Sequence, residues 1–485
     1  MKILFLLYGD FTTNTAIPLN LFARELQKMG HECIFAVPDG IETVGCGESI
    51  YFTPFLMDEV LQRKGNIFSD GSRADIIHAC TPRINISNFL KEYQALLPTP
   101  LVIYLEDNES WISQKFLDLK NDEFLKLTSQ ELTSRLPTQL SHPLDYPFLI
   151  SLADLIIVAQ EKLKVEVPEY VNSEEVWWGV DQDFFNPLVG KSDELAERLG
   201  LGDIDIVIVY HGGLNGFTRG PLIDLCNAIG LVNAQGISCR LIRTGNNKIN
   251  FWDELDLEAS RYIIELGVVE REELPSILAL ADMYVQPGRI DPFEDLRIPS
   301  KALEFFSMGK PVILPNVNIA NLLRDWENAV ILKSGSPQEI ANACISLFRD
   351  PIKAKNIGLN GRLFAEESCN ILRQAKKLEI LYKNVIQTFD KETSRRVWDC
   401  MNDNGYFEAA LLKASIVSIK YPSKSIQATR QILLWGGQLN QRLNSVSARV
   451  IEAASNFLPQ IVIADKKSSS LFSKIKMKLI NLFLK

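Results

Sequence analysis

Short apolar runs that alternate with helical patterns constrain this chain more than any other feature. A series of buried strands, each followed by a helix, closes as a parallel sheet covered on both faces. Ile3–Leu7 reads as a strand, Pro18–Met29 as a helix and Glu32–Val37 as the next strand. Ile76–His78, Leu101–Leu105 and a strand within Ala153–Ala159 continue the series. Residues 108–150 interrupt it with polar helical stretches and read as an insertion near a cleft. A second alternation starts at Ile204–Tyr210, passes through Cys239–Arg243 and runs to about residue 335. At 485 residues the chain is too long for one core. The expected fold class is α/β, with two doubly wound Rossmann-like domains that meet near residue 180 and face a shared cleft. From about residue 390 only helical segments remain, among them Phe407–Ser418 and Ser425–Trp435.

The most informative single segment is Pro299–Pro315, PSKALEFFSMGKPVILP. Ser300 suits an N-cap, and Gly309 stands where a helix takes a left-handed stop. Pro311 forbids continuation, and Val312–Leu314 then reads as a buried strand. Lys301 and Glu304 are three residues apart and share a helix face. The amino end of that helix offers unpaired N–H groups, which suit phosphate. A cation beside that end and a carboxylate one turn further in fit the diphosphate and the ribose of a nucleotide. An ordinary exposed Lys–Glu pair fits the same spacing equally well.

Composition removes several function classes. A formal charge of −9 argues against nucleic acid as a partner. The eight cysteines are scattered without a C-x-x-C pair, which forms neither a zinc cage nor a disulfide framework and fits a reducing cytosol. Four histidines leave little for a histidine-rich metal site. Met1–Tyr8 is too short an apolar run for a signal peptide and lacks a cleavage pattern, so it reads as a first strand. No run of 18 apolar residues marks a membrane span. Residues 466–485 carry six lysines and no acid, and as a helix they place Leu471, Phe472, Ile475, Leu479, Leu482 and Phe483 on one side. That pattern fits an interfacial helix on anionic lipid, a solvated tail, or a helix packed on the body.

The 299–315 segment resembles the nucleotide-sugar signature of retaining glycosyltransferases of family four, many of which read Pro-Ser-Lys…Glu…Met-Ala-x-Gly-x-Pro-Val. Leu266–Gly288 is similar to the segment that precedes this signature in the family, and Trp178–Pro187 is similar to its interdomain Gly-Val-Asp…Phe…Pro. The resemblance covers roughly residues 1 to 385 and is best from 175 to 335. It implies the GT-B fold, with an acceptor-side domain over 1–178 and a nucleotide-sugar domain over 179–385, while the helical pattern alone marks an extension over 386–485.

Carried over residue by residue, the resemblance implies that Glu304 grips the ribose and that Ser300, Lys301 and Arg219 meet the diphosphate. Arg219 closes the Gly-rich turn His211–Pro221, where many members carry a further basic residue at positions held here by Gly212 and Gly213. The family's paired carboxylates are Glu-x7-Glu, yet eight places before Glu304 stands Leu296, which leaves Glu294 or Asp295 to contact the donor sugar. In the amino-terminal domain, Asp75–Cys80 resembles Asp-Val-Val-His-Ala-His, with His78 kept and Cys80 in place of the second His. Pro100–Asp107 resembles the strand that ends in His-Asp, with Glu106 in place of His and Asp107 retained. Gly9 corresponds to the loop that faces the donor.

The implied activity moves a sugar from a nucleoside-diphosphate sugar to a glycan, lipid-linked or other hydroxyl acceptor, with retention and with neither metal nor cofactor. Asp107 and His78 would orient the sugar and stabilise its cationic ring. The setting implied is cell-envelope polysaccharide or glycolipid synthesis, in the cytoplasm or at the inner membrane face. A non-catalytic relative that binds nucleotide or glycan, or a GT-B epimerase or phosphorylase, remains open because a fold hosts many functions.

Overall fold

The computed structural model describes residues 1–442 apart from 46–48, 120–122, 124–126, 128, 203–204, 215–217, 247–253, 256 and 292. The basic tail 466–485 lies outside the described residues.

Two parallel sheets form the body. The first has seven strands in the order β3 (Thr53–Leu56), β2 (Glu32–Val37), β1 (Lys2–Leu7), β4 (Ile76–Cys80), β5 (Leu101–Leu105), β6 (Leu155–Val158) and β7 (Ser173–Glu175). The second has six, in the order β10 (Ile263–Glu265), β9 (Cys239–Thr244), β8 (Ile206–His211), β11 (Met283–Val285), β12 (Val312–Pro315) and β13 (Val330–Leu332). Central strands such as Ile3–Leu7 are wholly buried, as expected where helices cover both faces. In each sheet the order runs outward in both directions from a first strand, which creates a crevice at the carboxyl ends of the strands. The edge strands β3, β7, β10 and β13 are the ones periodicity did not single out, being only three or four residues long.

The link between the sheets is fixed by packing. Gly179 lies against Ile371, where any Cβ would overlap that side chain, and the Val180 N–H donates to the Cys369 carbonyl at 2.8 Å. Asp181 pairs with Arg24 of the first domain, and Phe185 is buried beside it. Beyond Cys369, the helix Ile371–Thr388 returns to the first domain and packs on the helix Ala16–Lys28. His31 Nε2 and Glu379 Oε1 stand 2.9 Å apart at this seam.

The helical extension also belongs to the first domain. Lys391–Asn404, Tyr406–Lys420 and Ser425–Arg442 extend the two segments read from the sequence and add one before them. The Lys413 ammonium donates to the Leu152 and Ala153 carbonyls at 2.6 and 2.5 Å, placing a cation at the carboxyl end of the helix Tyr146–Ser151. Phe148 meets the rings of Phe407 and Trp435 at 5.2 and 5.4 Å. No helix among the described residues is long and apolar enough to cross a membrane.

Candidate functional site

The end of β8 and the helix Ser300–Ser307 bring together the residues that the sequence pointed to most strongly. The helix ends as expected, with Gly309 at φ +70°. Its start differs: Pro299 occupies the N-cap, and Ser300 is the first helical residue, exposed and without a capping hydrogen bond. Proline already supplies the extended residue a helix start needs, so the serine is drawn into the first turn. The N-cap reading of Ser300 is therefore corrected, although its place at the helix mouth stands.

Glu304 turns toward the first strand of its sheet. Its Oε2 lies 2.7 Å from His211 Nε2, and Arg271 Nη2 lies 3.7 Å from the other oxygen. Burial pushes the Glu304 carboxyl up, but the neighbouring His211, Arg271 and Lys301 outweigh it and hold the group below its usual range. Arg271 is steadied by the rings of Phe184 and Phe185, 5.5 and 5.4 Å away. Lys301 drapes its alkyl stem over Gly212, where a Cβ would overlap Lys301 Cε, and holds its ammonium 5.7 Å from the Tyr210 ring centre. Gly212 has φ +140°, a second reason why only glycine suits this position. Among the described residues, a Cβ at Gly213 would meet the Asn246 carbonyl at an ordinary 3.6 Å.

Arg219 begins the helix Arg219–Ala234 at the other end of this glycine-rich loop. Its guanidinium pairs with Glu254 in an exposed contact rather than with the Lys301–Glu304 group. A second cation, not anticipated from the sequence, stands beside it. Arg289 packs on Gly220, where a Cβ would lie 2.8 Å from its Nη2, and it pairs with Asp224 at 3.0 Å.

One stretch of the second domain reaches across the cleft. Phe293 stacks on Trp111 of the insertion, with ring centres 4.6 Å apart and planes 15° from parallel. Asp295 pairs with Lys162 at 2.6 Å, and Gln160 donates to its carbonyl at 3.0 Å. The Asn318 N–H donates to the same Asp295 carboxylate at 3.2 Å. Asp295 therefore ties the domains together. Glu294 lies 3.4 Å from Arg297 Nη1. Burial raises the Glu294 carboxyl, with Arg297 opposing and Asp291 and Asp107 adding to the rise. Asp107, two residues beyond β5 and half-buried, is likewise raised by burial and drawn down by the Arg297 charge. The charge of Arg297 thus acts on Asp107 from the other domain.

His78 is not at the cleft. It occupies the middle of β4, is 1% exposed, and packs against Phe5, Tyr104 and Tyr382. Its Nδ1 is 2.5 Å from the Tyr382 hydroxyl, and Nε2 has no partner among the described residues. Burial lowers its pKa to about 3, so it stays neutral. Its expected orienting role is corrected, because its side of the strand faces the returning helix. Glu106 supplies the titratable group that was missed. Thr15 Oγ1 donates to its carboxylate, 2.9 Å from each oxygen. Burial above all, then the Asp107 charge, raises Glu106 to about 8 against the pull of Arg83. A neutral carboxyl both donates and accepts. Gly9 sits just past β1, where a Cβ would stand 2.8 Å from Thr13 and loosen the turn that carries Thr15.

Among the described residues, no three His, Cys, Asp or Glu side chains gather as metal ligands. Residues 205–350 match the family model described as glycosyl transferases group 1. HepE of Anabaena, solved in complex with UDP-glucose, superposes with a TM-score of 0.58 at 17% identity, over 79% of this chain and 100% of that one. The sucrose-phosphate synthase of Thermosynechococcus elongatus gives 0.58 at 14% identity, over 80% and 100%. A glycosyltransferase from Rickettsia africae gives 0.58 at 14%, over 80% and 99%. At these identities the likeness establishes the fold, which is GT-B. No curated protein matches the sequence. The family model bears out the resemblance at the level of group 1 glycosyltransferases.

Proposed function

We propose that the protein transfers a sugar from a nucleoside-diphosphate sugar to a hydroxyl acceptor, with retention at the anomeric carbon as in family four. The observation that carries this reading is the convergence of Lys301, Glu304 and His211 where a helix amino end meets the carboxyl end of β8. The carboxylate accepts from ribose hydroxyls, and Lys301 with the first N–H groups of its helix meets the diphosphate. Arg219 and Arg289 stand at the start of the helix after the loop and offset charge as the diphosphate departs, a task assigned to side chains and helix amides rather than to a metal ion. Glu294, Asp107 and neutral Glu106 hold the sugar, with Asp107 and Glu294 set to stabilise positive charge on its ring. UDP-glucose bound to the structurally similar HepE supports this class of donor.

The acceptor side belongs to the first domain. A glycan or lipid-linked acceptor in cell-envelope synthesis fits the reading, with residues 466–485 resting on anionic lipid at the cytoplasmic face. Thermal shift against a panel of nucleotide sugars tests the donor assignment, since a bound ligand raises the melting temperature by mass action. A panel in which no nucleotide sugar shifts the melting temperature overturns it. For a positive donor, NMR of the product's anomeric configuration tests retention.

A further inference from the structure

We propose that Arg243 is a positioning residue: it turns the Gly212–Gly213 peptide so that the Gly213 N–H faces the cleft and binds a phosphate oxygen of a nucleoside diphosphate. The inference rests on the nucleotide-sugar reading above and assigns a residue that neither the sequence motifs nor the ion pairs at Glu304 contain. The strand Cys239–Thr244 reads CRLIRT, and the side chain of its second arginine, Arg243, is 0% exposed. A buried guanidinium is costly unless its N–H groups are used. Nη1 donates to Glu265 at 2.6 Å, and Nη2 reaches the Gly212 carbonyl at 3.5 Å.

The consequence follows from peptide geometry. In a trans peptide the carbonyl and the next N–H point in opposite directions. With the Gly212 carbonyl drawn inward to Arg243, the Gly213 N–H points outward, on the side where Lys301 lies over Gly212. The flanking N–H groups are already used: Gly212 donates to the Thr244 carbonyl at 2.9 Å and Leu214 to the Asn246 carbonyl at 2.8 Å. Gly213 N–H has no partner among the described residues. Gly245 makes the approach possible, since a Cβ there would stand 2.5 Å from the Gly212 carbonyl carbon and oxygen. Arg243 therefore sets a backbone donor at the loop position where related enzymes carry a basic side chain, and it adds its own charge beneath.

The test uses the full chain and isothermal titration with three pairs of probes: UDP and uridine, ADP and adenosine, GDP and guanosine. Arg243→Met is expected to weaken the bound diphosphate at least tenfold and leave its nucleoside unchanged, with Arg243→Lys recovering part of the loss. Gly213→Pro, which removes the N–H, should give a similar loss. Arg243→Met should add little in that background, because both act through one donor. Should circular dichroism show Arg243→Met unfolded, Glu265→Gln loosens the same guanidinium and should weaken the diphosphate selectively. Equal losses for diphosphate and nucleoside, or additive losses in the double variant, overturn the proposal. Unchanged diphosphate binding in Arg243→Met overturns it while sparing the nucleotide reading. Failure of all three diphosphates to bind the unaltered protein sinks both.

Discussion

Glu304 Oε2 stands 2.7 Å from His211 Nε2, so a helix of the second domain is pinned to the end of the strand beside which the glycine-rich loop begins. The contact serves two ends, since the carboxylate is held charged and its second oxygen is turned toward Arg271.

Glu304→Ala is expected to weaken nucleotide-sugar binding about tenfold to a hundredfold, the loss of one or two charge-assisted hydrogen bonds. Its lowered pKa also fixes a sign. A carboxyl whose folded value lies below its unfolded one stabilises the fold above the unfolded value, and that contribution fades as pH falls through the folded value. Urea denaturation between pH 3 and pH 6 should therefore show a shallower acid loss in Glu304→Gln than in the parent, and a steeper one counts against the pairing.

Lys301→Met keeps the stem over Gly212 and removes the charge. Donor affinity should fall about tenfold or more, and the salt dependence of binding should flatten, because an ionic contact is screened by salt. Titration of the bound nucleotide at two ionic strengths checks both.

Glu106 gives the opposite pH signature. Its carboxyl titrates near 8 in the fold against 4.5 for the free side chain, so between those values the native state keeps a proton that the unfolded chain has lost. Stability then declines as pH rises across that window. Glu106→Gln removes the decline, and the melting temperature of the variant should gain on the parent between pH 5 and pH 8. Parallel melting curves for the two proteins exclude a proton held at Glu106.

Tyr382→Phe leaves His78 without its hydroxyl partner inside the first domain. Loss of a buried hydrogen bond costs about 1–3 kcal/mol, and the melting temperature should drop by several degrees. Nucleotide affinity should hold, since neither residue lines the cleft. A selective loss of affinity would restore His78 to the site.

Trp111→Ala with Lys162→Ala removes both the ring stack on Phe293 and the tie to Asp295. The cleft should open, read as a larger radius of gyration in small-angle scattering and a raised KM for donor.

Much of the architecture was legible because parallel strands are continuous apolar runs. Leu101–Leu105 and Glu32–Val37 have the ends expected of them, and Gly309 stops its helix as its lack of a Cβ allows. The motif around Lys301 and Glu304 was legible for a similar reason, since spacing on one helix is local information. The pairing of Asp295 with Lys162 and the burial of His78 against Tyr382 could not be read because those partners are 133 and 304 residues away in the chain. Arg243 and His211 escaped notice because a polar residue at the end of a strand reads the same whether it faces solvent or braces a loop. Only the fold shows that Gly212 lies between Arg243 and Lys301.

The returning helix Ile371–Thr388 makes the first domain a composite of distant sequence. Severing the polypeptide near residue 180 would strip that domain of Tyr382 and Glu379, and of Lys413 from the extension beyond. The amino-terminal domain is thus completed by residues from the carboxyl-terminal end of the chain. Ribosomal synthesis must pass residue 413 before the Lys413 contacts at 152 and 153 can form.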